Sequence, residues 1–257
     1  MRKKHVPLVP LVVAVAITAQ LSCRRPTATP APPQPSPSPT EQAQIDAILQ
    51  RYEDAVGGRD AIAGITSYRL KGTFEVARMT GKIESWRKEP DKYVSVMEFP
   101  RIGTLKKGFD GQTHWVQTPS GTFTNSEPQE IAKMERDAEA YTVSKIRSLF
   151  DSMKLEHKAR LSGRDVYMIE GKPAKGPAEK LFFDVENGLL LRWDMARKEG
   201  GRTIFVKVHF NEYRDVGGVK VPFKLRFAFA FFNFFVNIDE VEHNIPLEDA
   251  FFNKPLK

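Results

Sequence analysis

The sequence predicts a mainly β fold of the α+β class: one curved, meandering antiparallel sheet of about eleven strands, with two helical elements over its dry face. Three observations point there. From about Thr66 onward, apolar residues recur with period two in short runs. Asp110-Gly111, Asn187-Gly188 and Gly217-Gly218 stand between successive runs, as antiparallel hairpins require. Helical spacing of three and four is confined to two stretches, near residues 41–56 and 126–153.

The chain opens on a leader. Arg2, Lys3 and Lys4 form a positive start, and Val6 to Ala19 is an apolar run of fourteen residues. Spanning a bilayer takes about 20 residues, so residues 1–22 read as a secretory signal peptide rather than a membrane span. Ser22-Cys23 after Leu21 resembles a bacterial lipobox, in which the cysteine is acylated and becomes the first residue; Gln20 departs from that pattern. The alternative is cleavage after Ala19, which leaves a free thiol in an oxidising compartment. Cys23 is the only cysteine, so no disulfide forms within the chain and no cysteine-based zinc site is possible. Residues 24–40 hold seven prolines and no core-forming side chains. With Cys23 they make an anchored, Pro-rich tether over 23–40 that can reach on the order of 50 Å at ~3.1 Å per residue.

The folded domain is expected over 41–257. Thr40 can cap a helix whose stripe is Ile45, Ile48, Leu49, Tyr52 and Val56, ended by Gly57-Gly58, with a short turn at 60–63. Candidate strands follow at 66–78, 82–89, 92–99, 103–109 and 113–118. Ser126-Glu127-Pro128-Gln129 then has the form of a capping box, and Ile131, Met134, Ala138, Ile146, Leu149, Phe150 and Met153 continue at helical spacing. Seven more candidate strands lie at 156–161, 165–171, 179–186, 189–198, 202–214, 219–230 and 232–243. Ile204, Val206, Val208 and Phe210 share one face of their strand, and Lys207, His209 and Asn211 the other, so the sheet has a wet and a dry side. Segment 227–238 carries no charge, and its apolar parity switches between Phe231 and Phe232. That switch predicts a bulge or a tight reversal. So apolar a segment requires cover, as ordinary core strand or as the wall of a cavity for a lipidic ligand.

Composition excludes several classes of function. The 257 residues carry a formal charge of +7, but five of the 39 Lys and Arg residues lie in 1–40, which holds no acid. Residues 41–257 therefore hold 34 bases against 32 acids, and no basic face is indicated for nucleic acid. No nucleophile elbow, P-loop, dinucleotide fingerprint, HExxH or EF-hand loop occurs. His114, His157, His209 and His243 are far apart in sequence, and no cofactor or metal is expected. Trp115, next to His114 after a turn, reads as packing.

Several stretches together carry a resemblance: Tyr52 through Gly57-Gly58-Arg59-Asp60 to Ile65; Gly108-Phe109-Asp110-Gly111 with Trp115; Gly163-Arg164-Asp165-Val166-Tyr167; Leu181-Phe182-Phe183-Asp184; Tyr213 to Pro222; and Asn244-Ile245-Pro246-Leu247 to Phe251. They resemble the outer-membrane lipoprotein-sorting superfamily, the LolA/LolB-like proteins, and more closely uncharacterised secreted bacterial relatives. The resemblance implies an open, curved antiparallel half-barrel with helices covering its concave face. It implies a cavity that takes acyl chains of lipids or lipoproteins, in the envelope of a Gram-negative-type bacterium. Carried over, Ile131, Met134, Ile146 and Phe150 would form a lid, and Phe205 and Phe229 are wall candidates. The expected function is non-catalytic acyl-chain binding or transfer, anchored to the outer membrane through Cys23. An envelope scaffold with a filled core and a protein partner is the alternative.

Overall fold

The computed structural model describes residues 38–125, 146–174, 176–199 and 202–255. Among these residues thirteen strands pair antiparallel into one curved, open sheet. The first meander comprises β1 (Ser67–Val76), β2 (Met79–Lys88), β3 (Lys92–Phe99), β4 (Gly103–Phe109), β5 (His114–Thr118) and β6 (Gly121–Asn125). The second comprises β7 (Ser152–Leu161), β8 (Arg164–Lys172), β9 (Glu179–Asp184), β10 (Leu190–Glu199), β11 (Arg202–Val216), β12 (Val219–Ala228) and β13 (Asn233–His243). One seam joins them: β1 pairs with β13, Tyr68 opposite His243 and Val76 opposite Phe234. The edges of the sheet are β6 and β7.

Every candidate run is a strand, and the count exceeds the expected eleven. The strand not anticipated is β6, Gly-Thr-Phe-Thr-Asn, whose one large apolar residue gives no alternation to read. The expected helical insert is corrected at its end. Met153 belongs to β7, opposite Gly171, because ladder pairing takes up the chain from Ser152. Among the described residues a 3-10 turn, Arg147–Leu149, stands before it, with Phe150 already extended. The capping box at 126–129, Ile131 and Met134 lie outside the described residues.

Helix α1 (Pro39–Ala55) begins earlier than expected. Ser38, not Thr40, is the cap: its Oγ accepts from the Glu41 N–H at 3.2 Å, and Pro39 fills the first position, where no N–H is needed. The stripe Ile45, Ile48, Leu49 and Tyr52 is buried as its spacing predicts. Each such side chain contributes about 1.5–3 kcal/mol on burial, so tertiary packing, more than helix propensity, holds α1. A short α2 (Arg59–Ala63) follows. Among the described residues no helix is long and apolar enough to cross a membrane.

The sheet has two distinct faces. The α1 stripe meets Ile169, Leu181, Phe183, Trp193, Val206, Val208, Phe223 and Leu225 in one continuous core. Tyr52 meets Phe183 with ring centroids 5.3 Å apart. The opposite face carries smaller clusters. Val94 and Trp115 pack under Phe252 of a C-terminal 3-10 turn, Asp249–Phe252. Trp115 Nε1 donates to the Phe252 carbonyl at 2.9 Å, which gives that tryptophan a packing role. Lys88 and Lys92 each reach Asp249 at 2.7 Å and hold its carboxyl down to about 2. Val166, Met168 and Phe182 make a separate cluster.

The parity switch in 227–238 is a tight reversal. Residues 229–232 connect β12 to β13, closed by the Phe229 N–H donating to the Phe232 carbonyl at 2.9 Å. The cover expected for this segment stops at its tip, because Phe231 is 98% exposed.

Candidate ligand-binding face

Strand alternation sorts the side chains of the helix-covered face. Register places Phe74, Gly81, Ile83, Met97, Phe99, Phe227 and Phe234 on it, since Phe74 opposes Gly81 and Val236, and Phe227 opposes Phe234. These phenylalanines form a connected aromatic group. Phe74 meets Phe99 at 4.7 Å and stacks on Phe234 at 5.6 Å between centroids. Phe234 meets Phe227 edge-on at 5.9 Å, and Phe229 stacks on Phe232 at 4.5 Å. Exposure rises along the series. Phe74 is fully buried, Phe99, Phe227, Phe229 and Phe234 are half-buried, and Phe232 reaches the surface. Gly81 makes the inner end possible, because a Cβ there would collide with the Phe74 ring and the Glu98 carbonyl.

The same face turns polar at the other end of these strands. Tyr68, Ser85, Arg87, Tyr93, Ser95 and His114 share its parity. Ser85 and Ser95 are hydrogen-bonded at 2.9 Å, and the Arg87 guanidinium lies 5.3 Å from the centre of the Tyr93 ring. Burial pushes the Tyr68 phenol up, with Arg87 opposing the shift. Over the first meander the helix-covered face is therefore amphiphilic along the strand direction, aromatic toward the β12–β13 hairpin and hydroxyl- and guanidinium-bearing toward the other end.

The second meander is filled beneath α1. Phe150 packs against Gly171 and meets Trp193 at 6.1 Å. Trp193 Nε1 donates to Glu179 Oε2 at 2.7 Å, both side chains buried. Tyr213 donates to the Leu190 carbonyl at 2.8 Å, and burial raises the phenols of both Tyr213 and Tyr52.

The residues singled out from sequence separate accordingly. Ile146 and Phe150 are buried on the helix-covered face, and Phe229 packs against the same core. Phe205 does not join them. It alternates with Ile204 and Val206, is 68% exposed and points from the opposite face, so Phe205 and Phe229 cannot line one cavity. Cys23, Ile131 and Met134 lie outside the described residues. Sequence reasoning missed Phe74, Phe99 and Phe234 as wall residues, and the polar group at the other end. The signal for Phe74 is its alternation with Val76; for the polar group it is matched parity across the turn at 89–91.

What these side chains offer is apolar contact graded into hydrogen bonding. Among the described residues no group of three or more His, Cys, Asp and Glu side chains could hold a metal ion. A cleft of about 250 Å³ lies elsewhere, where Val96 and Ile83 meet the stems of Lys71, Lys82, Glu84, Glu98 and Asp239, so its lining mixes apolar and charged groups.

No family model matches the sequence, and no curated protein matches it. Solved structures do match the fold. A LolA superfamily protein from Nitrosomonas europaea has a TM-score of 0.57 at 12% identity, covering 81% of this chain and 97% of that one. A DUF1329 family protein from Desulfovibrio piger has a TM-score of 0.55 at 15% identity, with coverage of 81% and 97%. A putative outer-membrane lipoprotein-sorting protein domain from Vibrio parahaemolyticus has a TM-score of 0.54 at 11% identity, with coverage of 80% and 95%. The fold of this chain is the one these three structures share.

Proposed function

We propose that this LolA-like sheet binds an acyl chain of a lipid or lipoprotein on its helix-covered face, without catalysis, and that this face is the concave one. The carrying observation is the aromatic series from buried Phe74 through half-buried Phe234 and Phe227 to Phe229 and Phe232. An apolar guest extends such a series at no electrostatic cost. About ten methylenes moved onto it contribute ~8 kcal/mol gross, from which ordering costs are subtracted. The polar end, with Arg87, Tyr68 and Ser95, suits the head of an amphiphile. In this reading Ile146 and Phe150 belong to a lid together with Ile131 and Met134.

The remaining assignments belong to the same proposal. Residues 1–22 are a signal peptide, 23–40 an acylated cysteine and tether, and 41–257 the binding domain. The protein sits on the periplasmic side of the envelope, anchored in the outer membrane by Cys23, and receives or passes its guest there. A second reading, a scaffold engaging an envelope protein, is favoured by one observation: the second meander is filled, with Ile45, Ile169, Leu181 and Phe183 fully buried.

Titration with a fluorescent fatty acid separates the two. A chain beginning at Arg24 contains every described element and should take up the probe. Phe234→Asp should weaken uptake about tenfold or more, because it removes a wall ring and sets a carboxylate against the guest. Phe235→Asp, one residue on and facing the opposite side, should leave uptake unchanged. No uptake by the unaltered chain, or equal loss in both variants, favours the scaffold.

A further inference from the structure

The two ends of the sheet differ in chemistry. At one end lie the hairpin turns 77–78, 100–102, 119–120, 173–178 and 229–232, with Gly200-Gly201 following β10 in sequence. Among their described residues these turns contain Arg78 and Arg101 and no Asp or Glu; Asp151, leading into β7, is an acid at this level of the sheet. The turns of the opposite end contain Glu89, Asp91, Asp110 and Glu186. The acid-poor end also carries exposed apolar side chains in its turns, Phe231 at 98%, Ile102 at 56% and Phe232 next to Phe231, whereas the exposed Phe205 and Phe235 lie along strands and Phe251 lies against Trp86 toward the other end. Single exposed apolar residues are ordinary, but apolar tips and arginines gathered at one end without acidic turns are a compositional bias with a physical reading.

The chain direction of α1 adds a second observation. Its first turn is held near the start of β7, where Glu41 Oε1 accepts from the Leu155 N–H at 3.0 Å. Its last turn is held at the start of β12, where the Val56 carbonyl accepts from the Lys220 N–H at 2.8 Å. The start of β7 is at the acid-poor end and the start of β12 at the other. The described domain therefore begins, at Ser38, on the side of Phe231.

We propose that this end rests on an anionic bilayer surface, with Phe231 inserted at the level of the headgroups and Arg78 and Arg101 against them. Aromatic rings favour the interface between headgroups and acyl chains, and each basic side chain near an anionic surface adds about 1 kcal/mol, a factor of roughly five. A turn rich in acids would be repelled there, so the bias gives the domain an orientation: hairpin tips down, acid-bearing turns away. The inference does not depend on acyl-chain binding, since a filled scaffold could dock the same way.

Co-sedimentation with vesicles, without any acyl probe, tests it. The chain beginning at Arg24 should bind vesicles containing phosphatidylglycerol and bind phosphatidylcholine vesicles far less. Phe231→Ser alters a side chain with almost no protein contacts and should lower the bound fraction about fivefold or more. Arg78→Glu with Arg101→Glu should abolish the preference for phosphatidylglycerol. Glu186→Lys, at the opposite end, should leave binding within about twofold. Absence of binding to phosphatidylglycerol vesicles, binding retained in both altered-tip variants, or an equal gain from Glu186→Lys would overturn the proposal. So would a dimer that Phe231→Ser dissolves, which would make a second copy the occupant. Because no fatty acid is present, failure here leaves the acyl-binding reading standing, and failure of probe uptake leaves this one standing.

Discussion

Phe74→Ala is expected to destabilise the fold by about 3–5 kcal/mol, the range for removing a buried ring whose site cannot collapse. Phe74 is fully buried on β1, in ring contact with Phe99 of β3 and Phe234 of β13. It lies over Gly81, whose backbone cannot move inward to fill the space, because it is paired into the sheet opposite Phe74 itself. Chemical denaturation followed by Trp86, Trp115 and Trp193 fluorescence should show a lower midpoint with unchanged slope. Phe231→Ala, by contrast, should change stability by less than about 0.5 kcal/mol, because the side chain is almost wholly in water. A cost below about 1 kcal/mol at Phe74 would mean that the aromatic group is loosely packed and does not organise the seam between the meanders.

Gly72→Ala should be nearly as damaging, by about 2–4 kcal/mol. The β1–β13 ladder is the pairing that joins the two meanders, and its register shifts between Lys71 and Gly72. There the two backbones approach so closely that a Cβ on Gly72 would fall within the Asn237 carbonyl oxygen and against the Ile238 Cα. No rotamer change relieves a contact with backbone, so the seam itself must open. Hydrogen exchange should therefore show lost protection in β1 and β13 before any loss in β8 and β9. Uniform loss throughout, or none, would contradict the placement of the weak point at the bulge.

Much of this architecture is legible in the sequence because its signals are local. Alternation plus turn residues located the strands, since both are set within a few residues; Gly217 and Gly218 each take positive φ in the β11–β12 turn. The switch at Phe231 and Phe232 located a reversal for the same reason. β6 escaped because it has no alternation, and Ser38 displaced Thr40 as the cap because the proline between them favours the first helical position. The seam was not legible: Tyr68 and His243 are far apart in sequence, and no local pattern pairs them. The site was half legible. The charge-free run contains Phe227, Phe229 and Phe234, but its partners Phe74 and Phe99 come from the other meander and meet it only through the seam. Phe205 was separable in principle, since it alternates with the same Ile204 and Val206 that define the buried face.

Native mass spectrometry of the protein purified from bacterial envelopes bears most directly on the central claim, that the helix-covered face holds an acyl guest. The account predicts a population carrying an added mass equal to a lipid or fatty acid, released on activation and depleted in Phe234→Asp but not in Phe235→Asp. A single species at the mass of the chain with its own covalent modification, identical in both variants, would contradict it.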